Sequence, residues 1–372
     1  MYVPYFYPVV SRGRIPFAGG IEVQLSLLAK GLVERGFDVT VVTCDYGQAD
    51  GIVVDGVKLL RCYRPDAGLP ILRFLHPRVS TSIAALQRAN ADVYLVQGAG
   101  LYAGLVADVA RAMGRRFVFM SAADHDVSRE LPDVNGPRDR IWYRRGLAGA
   151  SAILVQTAKQ RALLRDAYGY DGLVIMNPVD IPNELAAPAA SRRVVWVATY
   201  KASKRPEWFT RLAERHPDLE CAMVGVVPTP PLTDADFVAA TAVARRCPNL
   251  TVHGPLAHER VNEFLSGAAL FTHTSPAEGF PNTFLEAWSI GLPTVTCFDP
   301  DGIIARERLG ERHETFEAWE EAVLRWMSDP EGRAAAGARA RAYARATHGS
   351  GEIHERVAEV MDRLVALRRA GR

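Results

Sequence analysis

Glu278-Gly279-Phe280-Pro281-Asn282-Thr283-Phe284-Leu285-Glu286 lies between two apolar runs, Ala268-Ala269-Leu270-Phe271-Thr272-His273-Thr274 before it and Leu292-Pro293-Thr294-Val295-Thr296-Cys297 after it. Short apolar runs bounded by turn residues mark strands buried on both faces, and the amphipathic stretch between these two is a crossover helix. The segment therefore reads as strand, loop, helix, strand: one repeat of a parallel sheet. Pro281 suits the first helical position, where its missing N–H would be unpaired in any case, and Gly291 suits the helix end. The amides of Gly279 and Phe280 then face the positive end of a helix dipole, where an anion is favoured. Glu278 precedes the helix and Glu286 falls in its second turn. Helical side chains lean toward the amino end, so both carboxylates can converge on one ligand at a strand's carboxyl end, where open α/β sheets bind ligands.

Strand-like and helix-like segments alternate along the whole chain, which predicts an α/β protein with parallel sheets. The first half gives a helix from Ile21 to Arg35 and strands at Asp38 to Thr43, Val57 to Cys62, Asp92 to Gln97, Phe117 to Ser121 and Ala152 to Gln156. The pattern restarts with the strand Val194 to Ala198, the helix Glu207 to Arg215, and strands at Leu219 to Gly225 and Leu250 to His253. Between the halves, the Pro- and Ala-rich stretch after Asn177-Pro178 prolongs neither neighbour and reads as a linker. The expected division is a first domain over 1–178, a hinge over 179–190, a second domain over 191–350 and a terminal helix over 351–372. At the start, Met1-Tyr2-Val3-Pro4-Tyr5-Phe6-Tyr7-Pro8 leaves only a stub for the first strand, because two prolines interrupt it. A strand of ordinary length there would need residues upstream.

The 372 residues suit two domains of ordinary size, and a formal net charge of +2 gives no whole-protein attraction to nucleic acid. Cys44, Cys62, Cys221, Cys247 and Cys297 show no Cys-x-x-Cys spacing, which favours reduced thiols and a cytoplasmic address. No apolar run is long enough to span a bilayer, and no histidine spacing suggests a metal site.

The stretch Ser275 to Pro281 with Leu285-Glu286-Ala287 and Gly291-Leu292-Pro293 resembles the signature of the family 4 (group 1) retaining glycosyltransferases. That resemblance implies the GT-B fold, two Rossmann-like domains with parallel sheets facing across a cleft. The second domain would hold a nucleoside-diphosphate sugar of UDP or GDP type, and the first an acceptor hydroxyl compound. It further implies that Glu278 meets the donor sugar and that the loop Gly279, Phe280, Pro281 and Asn282 meets sugar and diphosphate. Glu286 would meet the ribose. No cofactor or metal is implied. Transfer with retention of configuration would build a glycan, a glycolipid or a glycosylated metabolite; a nucleotide-sugar 2-epimerase and a non-catalytic partner subunit are the alternatives on this fold.

Other residues extend the site. In Tyr200-Lys201-Ala202-Ser203-Lys204-Arg205-Pro206, lysines at a strand's end beside a helix start are placed to neutralise a leaving diphosphate, and the resemblance carries this role to Lys201 and Lys204. Gly19-Gly20 precedes the Ile21 helix and resembles the family's first-domain loop, with an ordinary turn as the alternative. His125, between Asp124 and Asp126, reads either as a sugar contact whose charge the acids tune or as a loop histidine held by them. Arg138, Arg140, Arg144 and Arg145 interleave with Ile141-Trp142-Tyr143. This helix reads as a peripheral contact with the inner face of an anionic membrane or as Trp142 packed in a core beneath solvated arginines, and Arg363, Arg368, Arg369 and Arg372 pose the same choice.

Overall fold

The computed structural model describes residues 1–11, 15, 19–68, 74–131, 134, 136–183, 191–227, 234–256 and 258–370. The chain divides into two compact units, one made of Met1–Ser11, Gly19–Pro178 and Ser350–Arg372, the other containing Val179–Gly349. Residues 184–190 of the expected hinge lie outside the described residues, while Val179 is buried and bridged in parallel to Gly349.

The first unit carries β1 (Thr40–Thr43), β2 (Val53–Val54), β3 (Val57–Arg61), β4 (Val93–Gln97), β5 (Arg116–Met120), β6 (Ala152–Val155) and β7 (Leu173–Val174). They form ladders ordered β1-β3-β2 and β4-β5-β6-β7, parallel except where β2 meets β3. The amino-terminal stub joins the two. Tyr2 N–H donates to Leu95 of β4 at 3.0 Å, and Val3 N–H donates to Val42 of β1 at 2.9 Å. Two prolines confine this strand to its opening residues, yet both neighbours still find backbone partners in it. The sheet is covered on both faces: Phe117 and Phe119 of β5 enter one apolar core, Val118 and Met120 the other. Such two-sided burial is why these strands read as unbroken apolar runs. The second of these cores is closed by the helix Gly20–Glu34, through Leu25, Leu28 and Leu32, and by the terminal helix Ser350–Ala370, through Ile353, Val357, Met361 and Leu364. The two helices approach closely at Gly31, where a Cβ would stand 1.9 Å from the His354 ring.

In the helix Pro137–Ala148, Tyr143 rather than Trp142 is the core aromatic. Tyr143 is fully buried against Phe119, whereas Trp142 is half-buried beside Phe74. The helix is rotated so that Gly104 of the helix Leu101–Ala112 meets the Trp142 backbone, which turns the indole outward. Arg372 lies outside the described residues, among which no helix is long and apolar enough to cross a membrane.

The second unit holds one six-stranded parallel sheet ordered β10-β9-β8-β11-β12-β13, with β8 (Arg193–Val197), β9 (Glu220–Val224), β10 (Leu250–His253), β11 (Leu270–His273), β12 (Thr294–Thr296) and β13 (Gly310–Arg312). Val194 and Trp196 face one core, Val195 and Val197 the other. The chain winds outward from β8 through β9 to β10, then returns to place β11 on the other side of β8. Strand order reverses there, and the helices that follow β8 and β11 pack on opposite faces of the sheet, which leaves a crevice at the carboxyl ends of these strands.

Gly225, which follows β9, is where the loop after β8 comes closest: a Cβ there would stand 1.6 Å from the Ala198 carbonyl oxygen. Backbone cannot yield as a side-chain tip does. Gly225→Ala is expected to cost about 1–3 kcal/mol of stability, the usual penalty of overpacking, as measured by urea unfolding.

Candidate functional site

The crevice between β8 and β11 brings two loops together. After β8 the chain makes a short 3-10 turn, Ala202–Lys204, then Arg205 takes a left-handed conformation (φ 48°) and the helix Pro206–Arg215 begins. Arg205 holds this turn with its guanidinium 5.0 Å from the Trp208 ring. After β11, Thr274 and Ser275 fasten the second loop to the first: the Thr274 hydroxyl donates to the Lys204 carbonyl at 2.5 Å, and that of Ser275 reaches the Ser203 carbonyl at 3.3 Å. Trp196 of β8 donates its indole N–H to the Thr274 hydroxyl at 2.9 Å, tying the join to the core.

On this frame the Lys204 ammonium forms an ion pair with Oε1 of Glu278, and Nε2 of His273, the last residue of β11, lies 3.4 Å from the same oxygen. The Lys204 and Glu278 side chains are each 18% exposed and that of His273 4%. Burial disfavours charge on the histidine and holds its ring neutral, below the ordinary imidazole value, against the opposing pull of Glu278. For Glu278 burial pushes upward, but the hydrogen bond from His273 and the charge of Lys204 outweigh it and bring the carboxyl down to about 2. A neutral ring donates to the carboxylate from Nε2, leaving Nδ1 to accept the hydroxyl of Thr296 on β12, 3.3 Å away. That hydroxyl must then turn from the Phe298 carbonyl, 3.0 Å distant. At neutral pH the cluster is a carboxylate, an ammonium and a neutral imidazole.

Lys201 is exposed and caps the turn that ends at Lys204. Gly279 is buried, and the Phe280 side chain packs against Trp288 and His348, so the expected contact does not fall to the Phe280 ring. Pro281 is not the first helical residue: it is extended (ψ 121°) and caps the helix Asn282–Ser289, which begins one residue later than expected. The proline ring fixes φ but leaves ψ open, and φ −64° serves either position. Asn282 is thus the first helical residue, and Glu286 lies in the second turn, 9% exposed.

Gly19, Gly20 and His125 belong to the other unit. Gly19 caps the helix Gly20–Glu34 in an extended conformation (φ −83°) that any residue can adopt, so the backbone there does not demand glycine. Phe17 and Ala18 before it lie outside the described residues. His125 sits on the turn Asp124–Val127 with its side chain 40% exposed. Asp126 is buried and accepts the amides of Ala122 and Ala123 at 2.7 and 3.0 Å, which makes it the holder of the turn, while Asp124 pairs with Lys159 at 2.7 Å. The two acids are occupied structurally, and His125 presents the exposed group of the three.

Sequence reasoning passed over His273. The available signal was a histidine ending an otherwise apolar strand, five residues before Glu278.

The neutral ring of His273 has a consequence for stability. Its pKa in the folded chain lies below 6.5, so as pH falls from there the unfolded chain takes up a proton first and stability is lost. Glu278 is depressed, so its contribution is complete above 4.5 and lost only as pH falls toward about 2. Urea unfolding between pH 7 and 5 should show a dependence steeper in the wild type than in His273→Asn, by up to about 1.4 kcal/mol per pH unit. Equal slopes would show that His273 takes up its proton in the native chain as readily as in the unfolded one.

Residues 19–180 match the family model described as the glycosyl transferase 4-like domain, and residues 191–329 match that of the glycosyl transferases group 1. No curated protein matches the chain. Among solved structures it is similar to sucrose-phosphate synthase from Thermosynechococcus elongatus, with a TM-score of 0.77, 17% identity and 94% of each chain covered. It is similar also to Anabaena HepE in complex with UDP and glucose, with a TM-score of 0.72, 16% identity, and 97% of this chain and 98% of that one covered. The pneumococcal O-GlcNAc transferase GtfA, in complex with UDP and GlcNAc, gives a TM-score of 0.58 at 14% identity over 77% of this chain and 60% of its own. At such identities the likeness is one of fold, whereas the two family models adjoin and together span most of the sequence. The chain belongs to the group 1 glycosyltransferases of GT-B fold and is a glycosyltransferase.

Proposed function

We propose that the chain transfers a sugar from a nucleoside diphosphate to an acceptor hydroxyl with retention of configuration, and that the donor is held at the crevice between β8 and β11. The observation that carries this reading is the convergence of Lys204 and His273 on the half-buried Glu278 carboxylate at the carboxyl ends of these strands. A diphosphate competes with Glu278 for the Lys204 ammonium, and the carboxylate so released accepts hydroxyls of the sugar. Lys201 adds a second cation at the mouth, and the amides of Gly279 and Phe280 a set of neutral donors. The solved neighbours bound to UDP favour a uridine nucleotide.

The transition state separates an oxocarbenium-like sugar from a diphosphate, so preorganised cations at the leaving oxygens supply the largest stabilisation. Glu278 meets the sugar's hydroxyls rather than C1 in this reading, so no covalent glycosyl-enzyme is routed through it. The acceptor oxygen therefore attacks C1 on the face from which the diphosphate departs. The C1–O bond to phosphate breaks as the new one forms, and the acceptor's proton passes to a departing phosphate oxygen.

Lys204→Ala is expected to lower turnover by about two to three orders of magnitude without loss of fold, because one preorganised charge is removed from a developing anion. Unchanged turnover at saturating donor would remove Lys204 from the site. Glu286→Gln should raise KM for the donor more than it lowers kcat, since a ribose contact is made equally in ground and transition states, whereas Glu278→Gln should lower kcat as well. Steady-state kinetics on both variants decide between these roles, and the anomeric configuration of the product, read by NMR, decides retention.

A further inference from the structure

Two basic segments take no part in the site above: the helix Pro137–Ala148 and the terminal helix Ser350–Ala370. Both end at one place in the first unit. Arg145, in the last turn of one, and Arg368, in the last turn of the other, line a cavity of about 510 Å³ together with Arg111, Arg115, Arg116 and Asp108. Arg116 opens β5, so the cavity lies at the amino end of that strand, away from the carboxyl end where open sheets bind substrates.

Arginines at such a place have an ordinary explanation, because the helices Leu101–Ala112, Pro137–Ala148 and Ser350–Ala370 all finish nearby and their negative ends attract cations. That explanation falls short on charge. Asp108 pairs with Arg111 and, at 2.9 Å, with Arg145; Asp92 pairs with Arg115 at 3.1 Å and Arg368 at 2.5 Å. Two carboxylates and three helix ends offset about three and a half of the five positive charges. Hydrogen bonding is deficient in the same direction. Nε and Nη1 of Arg368, Nε of Arg115 and Nε of Arg116 are buried without a partner among the described residues, and the side chains of Arg368 and Arg115 are only 11% and 15% exposed. Leaving charged donors buried and unpaired is costly. Those nitrogens have almost no exposed surface of their own, so a ligand would meet the exposed guanidiniums of Arg111 and Arg145 first; a phosphate group supplies the missing charge with several acceptor oxygens suited to guanidinium forks.

We propose that this cavity is a second anion site, separate from the donor crevice, that takes a phosphate-bearing molecule. Its volume falls in the range of small-molecule pockets and exceeds what a single phosphate fills, so the phosphate is one end of a larger ligand, either a soluble phosphorylated compound or a lipid headgroup.

Calorimetric titration of the full chain with inorganic pyrophosphate at low salt tests this, using the wild type, Lys204→Ala and the double variant Arg115→Gln with Arg368→Gln. A binding event should persist in Lys204→Ala and weaken by about tenfold to a hundredfold in the double variant. Arg111→Gln, at an exposed position on the rim, should weaken the same event in a chain whose folding is not at issue. Co-sedimentation with phosphatidylglycerol vesicles separates the sources. Capture that pyrophosphate reverses and the double variant loses assigns the phosphate to a headgroup; pyrophosphate binding without capture assigns it to a soluble compound. Absence of binding, a single event abolished by Lys204→Ala, or a second event unmoved by all the arginine substitutions would overturn the site. Because Lys204→Ala reports on the donor crevice alone, failure of the proposed transfer chemistry and failure of this site are distinguishable.

Discussion

The parallel pairing of β8 with β11 is the constraint on which the site depends. Leu270, Phe271 and Thr272 register against Val194, Val195 and Trp196, so the two strands end side by side although 70 residues separate Lys204 from Thr274 along the chain. Because strand order reverses there, the helix after β8 crosses to β9 and the helix after β11 to β12, so neither roofs the gap between β8 and β11. Lys204 reaches Glu278 only through this adjacency. Backbone carbonyls of the first loop accept hydroxyls of the second, so the two move as one piece.

Within that frame the ionisation states follow from competition between burial and pairing. A carboxylate as little exposed as Glu278 would ordinarily gain a proton, and a histidine as buried as His273 would ordinarily lose one. The second tendency helps to overcome the first: a neutral imidazole donates a hydrogen bond without adding a charge that would compete with the Lys204 ammonium. The Lys204–Glu278 pair is net neutral, so in the transfer proposed above an incoming diphosphate would meet no net repulsion and would exchange one anionic partner of Lys204 for another. Breaking such a pair is costly when it leaves a charge alone; in the proposed exchange the anion would replace the carboxylate at the lysine, and sugar hydroxyls the lysine at the carboxylate.

Much of this was legible in the sequence. The strands at Val93, Arg116, Ala152 and Arg193 end within a residue or two of the apolar runs that predict them, since a strand covered on both faces needs every position apolar and the next polar residue marks its limit. The nearness of Lys204 to Glu278 was legible because each follows the end of a strand by a few residues. Three features were not. Pro281 restricts φ alone and leaves open ψ, which separates a cap from a first helical residue. Tyr143 and Trp142 are adjacent and equally aromatic, so which of them enters the core depends on the backbone approach at Gly104. The meeting of Arg145 with Arg368 joins helices more than 200 residues apart, and no local periodicity reports it.

His273 shows why a strand-end residue can matter to a loop-borne group. Glu278 sits on a loop, and a loop carboxylate held only by a lysine would share the freedom of that lysine's four-carbon stem. The ring of His273 is fixed on β11, one side against Phe284 at 4.9 Å and Nδ1 against Thr296 of the next strand, so it has almost no rotational freedom. The carboxylate is therefore referenced to two strands through the ring and to a third element through Lys204. Under the proposed reading, a diphosphate that drew Lys204 away would leave the histidine contact to keep Glu278 in place, with its other lone pairs open to the sugar. Positional accuracy at the reacting end thus comes from the sheet, and the loops supply the charge.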